Sequence, residues 1–133
     1  MPLGARASVS MAEAVARRLC LLHDGMQNRR ILNTALATRG LSVAPVVTAD
    51  SYVALFAMVA DGGFDSIVTD THGALFGQNP AIALLPFADP PPPNPIGVVV
   101  PSREPMSPLA RVVTLAAKRL VIDKSYNTQQ NLI

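Results

Sequence analysis

The sequence predicts an α/β domain, a mainly parallel sheet flanked by helices. Half of the 133 residues are apolar, enough to bury one proper core. Short apolar runs alternate with longer stretches whose apolar residues recur every three or four positions, the strand and helix signatures in turn. Between Val43 and Val68 a strand, a helix and a strand follow one another, a βαβ crossover, which is almost always right-handed with parallel strands.

The elements follow in order. Ser10 and Glu13 stand at the capping-box spacing and open a short helix over Met11–Arg18. Arg6, Arg17 and Arg18 among Ala and Ser superficially resemble an organellar transit peptide, but the capping box gives this segment an ordinary structural reason. Leu19–His23 reads as a buried strand. Asp24 is placed as N-cap of a helix reaching Arg39, with Ile31, Leu32, Ala35 and Leu36 on one face and Gly40 as its stop. Val43–Thr48 is the next strand, after which Asp50 or Ser51 caps a helix with Val53, Phe56, Val59 and Ala60 as its inner stripe. Gly62 and Gly63 end it, and Phe64–Val68 is the third strand. Thr71–Phe76 makes a short turn of helix, and Ala81–Phe87 a further strand.

Composition then changes. The run from Asp89 to Pro95 holds five prolines, which fix φ and lack the N–H, so it forms a stiff extended connector. Beyond it Ile96–Val100 is a dense β-branched strand candidate. Ser107 and Pro108 give an N-cap with proline in the first helical position, followed by the stripe Leu109, Val112, Val113, Ala116 and Leu120. That stripe needs an apolar surface to lie on. The polar tail from Asp123 to Gln130 is expected to fray.

The formal charge of +2 comes from 11 basic and 9 acidic residues without a basic run, so nothing is built to track a phosphate backbone. Cys20 is the single cysteine, which excludes an internal disulfide; set between Leu19 and Leu21, it reads as a buried, inert thiol. Every apolar run is far shorter than the roughly 20 residues of a membrane span. No cofactor is expected.

Three pieces, in this order and spacing, resemble the effector-binding domain of LysR-type transcription regulators. They are Arg29-Arg30-Ile31-Leu32-Asn33 after a strand, the crossover ending in Met58-Val59-Ala60-Asp61-Gly62-Gly63, and Ile96–Val100 followed by Arg103-Glu104-Pro105-Met106-Ser107-Pro108-Leu109. The resemblance implies a type 2 periplasmic-binding-protein-like fold, with two α/β subdomains and a small-molecule effector between them. On that pattern residues 1–8 are a disordered lead, 9–89 the second subdomain, 90–95 the connector, 96–120 the strand and helix returning to an incomplete first subdomain, and 121–133 a tail. The segment before Val9 is too short for the family's winged helix-turn-helix, so no direct nucleic-acid contact is expected. The family also implies a cytoplasmic protein. Two departures bear on the ligand: the family often carries glycine near Phe64 and a Leu-Pro pair where Val68-Thr69 stands.

In open α/β sheets ligands sit beyond the carboxyl ends of the strands. That rule marks the loops His23–Gln27, Thr48–Ser51 and Thr69–His72, with His23, Met26, Gln27, Ser51, Thr69 and Thr71 as candidate effector contacts. Helix N–H groups near Asp24 to Gln27 suit a carboxylate, and LysR-like effectors are frequently small carboxylates. Asp24, Asp50 and Ser51 have the competing role of helix caps. Cys20, His23 and Asp24 are too close in sequence to assemble a nucleophile, base and orienter, and Asp70 with His72 falls short of a metal signature, so neither catalytic nor metal residues are assigned. An alternative to the effector domain is an interaction module that pairs with a second copy through Ile96–Val100 and the last helix, and a homo-oligomer is expected on either reading.

Overall fold

The computed structural model describes residues 6–76, 78–94, 97–102, 104–123 and 130–132. Its elements are α1 (Met11–Val15), β1 (Cys20–Leu22), α2 (Gln27–Ala37), β2 (Val47–Ala49), α3 (Tyr52–Ala60), β3 (Ile67–Thr69), α4 (Asp70–Phe76), β4 (Leu85–Pro86), α5 (Pro108–Asp123) and β5 (Gln130–Leu132). The chain divides into two units, Met1–Pro92 with Gln129–Ile133, and Pro93–Thr128.

In the first unit β1 pairs in parallel with β2, Leu22 lying opposite Ala49. A parallel bridge between Leu19 and Asp65 ties the segment entering β1 to the segment entering β3. The crossover therefore carries the chain from β2 on one side of β1 to β3 on the other. β5 lies antiparallel between β3 and β4, so the expected parallel order holds for β1 and β2 while the β3-β5-β4 part is antiparallel. Val9 adds a parallel bridge to Phe87.

Strand alternation divides the core between the two sheet faces. Leu19, Leu21 and Ile67 join Val9, Met11, Ala14, Leu32, Leu36 and Phe87 on the side of α1 and α2. Cys20, Leu22 and Val68 join Leu55, Phe56, Val59 and Ile82 on the side of α3. β1 is thus buried on both faces, as all three of its residues are. This explains its unbroken apolar run. Cys20 is fully buried and burial pushes its thiol pKa up, which keeps it protonated.

The capping box of α1 forms as its spacing predicts: Ser10 Oγ accepts from the Glu13 N–H, and the Glu13 carboxylate accepts from the Ser10 N–H at 3.0 Å. That backbone bond, joined by Arg6, holds the Glu13 pKa at about 2. Ser51 caps α3, its Oγ accepting from the Ala54 N–H. Gly40 at φ 66° and Gly62 at φ 84° supply the left-handed turns after α2 and α3 that a side chain would strain.

Five expectations are corrected. The N-cap of α2 is Met26, without a side-chain cap bond, because the Asp24 carboxylate is drawn to Arg29 instead. Val53 is 68% exposed and Leu55 takes its place inside, since α3 is apolar nearly all round and its sequence leaves the inner face open. Residues 97–100 form no strand and Val99 is 96% exposed; among the described residues they have no ladder partner, without which β-propensity makes no strand. The terminal Gln130–Leu132 form β5, where a frayed tail was expected; most of that tail and Ile96 lie outside the described residues. Ala81–Phe87 is also shorter as a strand than expected, reduced to Leu85–Pro86 and the Phe87 bridge.

In the second unit Ser107 caps α5 as predicted, its Oγ accepting from the Ala110 N–H at 3.2 Å. Leu109, Val112, Val113 and Leu120 are exposed along the helix.

Replacing Leu55 with Ala should lower the unfolding free energy by about 2–5 kcal/mol in urea titrations, the cost of a core cavity. Val53→Ala should stay within about 0.5 kcal/mol, as exposed sites do. Equal losses at the two positions would contradict the inner face assigned to α3.

Candidate ligand-binding site

The carboxyl ends of β1, β2 and β3 are at Leu22, Ala49 and Thr69, and each leads into a helix within a few residues. The sheet therefore delivers the starts of α2, α3 and α4 to one edge, the place where open α/β sheets hold ligands. The His23 N–H donates to the Ala49 carbonyl at 3.2 Å, carrying the β1–β2 pairing into the mouth.

A polar cluster closes this edge. Asn28, on the first turn of α2, donates through Nδ2 to the Tyr52 hydroxyl at 2.6 Å. Tyr52, the first residue of α3, stacks on His72 of α4 with ring centroids 3.7 Å apart and planes at 13°. His72 Nδ1 lies 2.6 Å from Oγ1 of Thr69, the last residue of β3. Beneath it a cavity of about 10 Å³, lined by Asn28, Arg29, Tyr52 and Thr69 among others, has the size of a single water. Burial raises the Tyr52 pKa against the lowering effect of its bonds to Asn28 and Thr69, so the hydroxyl stays protonated. Burial lowers the His72 pKa, so the ring is neutral at neutral pH. Amide, phenol, hydroxyl and imidazole together offer neutral donors and acceptors, the chemistry of recognition.

Arg29 adds the charge. Its side chain is 5% exposed, with Nε donating to Asn33 Oδ1 at 3.0 Å and Nη1 to the Leu22 carbonyl at 2.9 Å. Nη2 meets Asp24 Oδ1 at 3.2 Å. The guanidinium thus grips the end of β1 from the first turn of α2.

The expected contacts all lie at this edge but differ in availability. His23 is exposed; its Nδ1 accepts from the Gly25 N–H and its Nε2 is 4.0 Å from Asp50. A side chain at Gly25 would collide with that ring, its Cβ falling 2.7 Å from His23 Cε1. Gln27 is exposed at the start of α2, while Met26 is half-buried against the α3-side core. Ser51 is engaged as a cap, Thr71 turns back to Asp70, and Thr69 is committed to His72. Sequence reasoning did not single out Asn28, Arg29 and Tyr52, and marked His72 only as part of its loop, although the fold brings all four to this edge. The signal for Arg29 was present: an Arg and an Asn four residues apart on a helix that begins just after a buried strand.

A second, larger cleft of about 630 Å³ opens at the amino ends of β1 and β3, lined by Arg17, Arg18, Phe64 and Asp65 among others. Arg17 pairs with Asp65, and the Arg18 guanidinium lies 5.3 Å from the centre of the Phe64 ring. Among the described residues no cluster of three or more His, Cys, Asp or Glu could hold a metal, and no helix is long and apolar enough to cross a membrane.

The unit is a layered α/β fold that gathers neutral polar groups and, among the described residues, one buried cation at its strand ends. Residues 1–120 match the family model of the LysR substrate binding domain, and the chain belongs to that family, as its motifs implied. Such domains are parts of regulators, not enzymes, and their fold is periplasmic-binding-protein-like. No curated protein and no solved structure matches the chain.

Because the His72 pKa is lower folded than unfolded, where it is about 6.5, the unfolded chain takes up the proton first. Its contribution to stability is complete above about pH 6.5 and is lost as pH falls through that value toward the folded pKa. His72→Gln should flatten the fall in stability between about pH 7 and pH 5 measured by urea unfolding. An unaltered slope would contradict the buried, neutral ring.

Proposed function

We propose that this chain is the ligand-sensing part of a LysR-type transcription regulator, with a small carboxylate-bearing metabolite seated at the carboxyl ends of β1, β2 and β3. The reading rests on one observation above others: Asn28, Tyr52 and Thr69 converge from α2, α3 and β3 on the edge where this fold class holds ligands, with Arg29 beside them. Two further features favour an anion. α2 has eleven residues and no side-chain cap, and among the described residues the Gln27 and Asn28 N–H groups have no backbone acceptor. Those N–H groups and the helix dipole attract a carboxylate.

On this reading His23, Gln27 and Asn28 are direct contacts, Tyr52, Thr69 and His72 shape the pocket wall, and Ser51, Met26 and Thr71 position the loops. The regulator works in the cytoplasm, and residues 9–89 act as the second effector subdomain. DNA contact is not assigned to these residues. A second reading, association between copies, draws on the exposed Leu109, Val112, Val113 and Leu120 of α5. Sedimentation showing a monomer at high concentration would remove it without touching the first.

Thermal unfolding against small carboxylates, amino acids and aromatic acids tests the main reading. A ligand at 100 times its Kd adds about 2.7 kcal/mol, which should raise Tm by about 5 °C or more. Gln27→Ala with Asn28→Ala should reduce that rise by removing two side-chain contacts, while the backbone N–H groups that remain keep part of it. A panel in which no carboxylate moves Tm would overturn the assignment.

A further inference from the structure

Arg29 is almost fully buried, yet its ionic partner is 80% exposed. Two of its three contacts are internal, to Asn33 on its own helix and to the Leu22 carbonyl at the end of β1. They fix the guanidinium plane whatever occupies the remaining nitrogen. The third contact, to Asp24, comes from the loop between β1 and α2, and among the described residues that carboxylate has no other polar partner. Space adjoins Arg29 on both flanks. One side has the small cavity under Asn28, Tyr52 and Thr69; the other has an open groove of about 340 Å³ lined by Asp24, Asn33, Leu41 and Ser42.

A buried guanidinium requires an anion but not a particular one, because leaving it unpaired is the large cost. Its remaining nitrogen can pair with a carboxylate bound to the chain or free. Asp24 departs cheaply, since it is already largely hydrated, and Arg29 cannot depart at all. We propose that Asp24 is an internal competitor for the ligand: the effector carboxylate replaces the Asp24 carboxylate on Arg29, and the exchange releases the His23–Met26 loop. This rests on the effector reading above and adds its anchor and its regulation. Ligand binding is then coupled to movement of the one loop that leads from the buried strand to the mouth of the site, and affinity is set by the difference between two carboxylates. That difference disfavours weak monoanions and favours ligands with further contacts to Asn28 and Gln27.

The test uses the intact chain with acetate, succinate and benzoate as probes, Kd being measured by calorimetry for wild type, Asp24→Asn and Asp24→Glu. Asp24→Asn takes the ionic partner from a buried guanidinium and should cost stability, so circular dichroism and urea unfolding first check that each variant is folded under the conditions of the titration. Removing the competing charge should tighten the best probe about tenfold, within the usual range of coupling between two sites. Asp24→Glu, which restores a carboxylate, should bind close to wild type. A purely structural Asp24 predicts lower stability of Asp24→Asn with no gain in affinity, and that result overturns the proposal while leaving the effector reading intact. Probes that bind none of the three forms overturn both.

Discussion

The site depends on one constraint: β1 is buried on both faces and only three residues long. Each face needs a cover, α1 and α2 on one side and α3 on the other, and α2 and α3 must begin near the carboxyl ends of β1 and β2 because the connections are short. The polar edge is a by-product of that packing. Asn28, Tyr52 and Thr69 meet because the elements carrying them are pressed onto the same strand.

Arg29 joins this packing to the chemistry. Its bond to the Leu22 carbonyl finishes the strand, its bond to Asn33 stiffens α2, and its remaining nitrogen reaches an exposed acid. A residue that serves the fold with two contacts and faces the loop with the third can respond to a ligand without moving itself. The larger cleft near Arg17 and Arg18 lacks this arrangement. Arg17 is paired with Asp65, Arg18 lies over Phe64, and the helix end nearby is the carboxyl end of α3, whose dipole disfavours anions.

Much of the fold was legible where the physics is local. The Ser10–Glu13 box, the Ser51 and Ser107 caps, the glycine stops and the apolar strands each follow from a few neighbouring residues. The strand-end rule also placed His23, Gln27 and Thr69 together at the carboxyl edge of the sheet, where the fold puts them. What escaped required partners far along the chain. Asp24 has the chemistry of a cap, and only the fold reveals Arg29 as its stronger attraction. Tyr52 and His72 stack across twenty positions that share no pattern. α3 is too uniformly apolar for period to choose between Val53 and Leu55. β5 is a polar terminal segment whose strand state comes from the gap between β3 and β4, and Ile96–Val100 shows the converse, strand composition without a strand over residues 97–100.

The most direct measurement is an amide chemical-shift titration of the isotopically labelled chain with the carboxylate that raises Tm most. The account predicts shifts concentrated at residues 23–29, 51–52 and 69–72, with the strongest changes at Gln27 and Asn28. Shifts centred on Arg17, Arg18 and Phe64, with the strand ends unmoved, would contradict it.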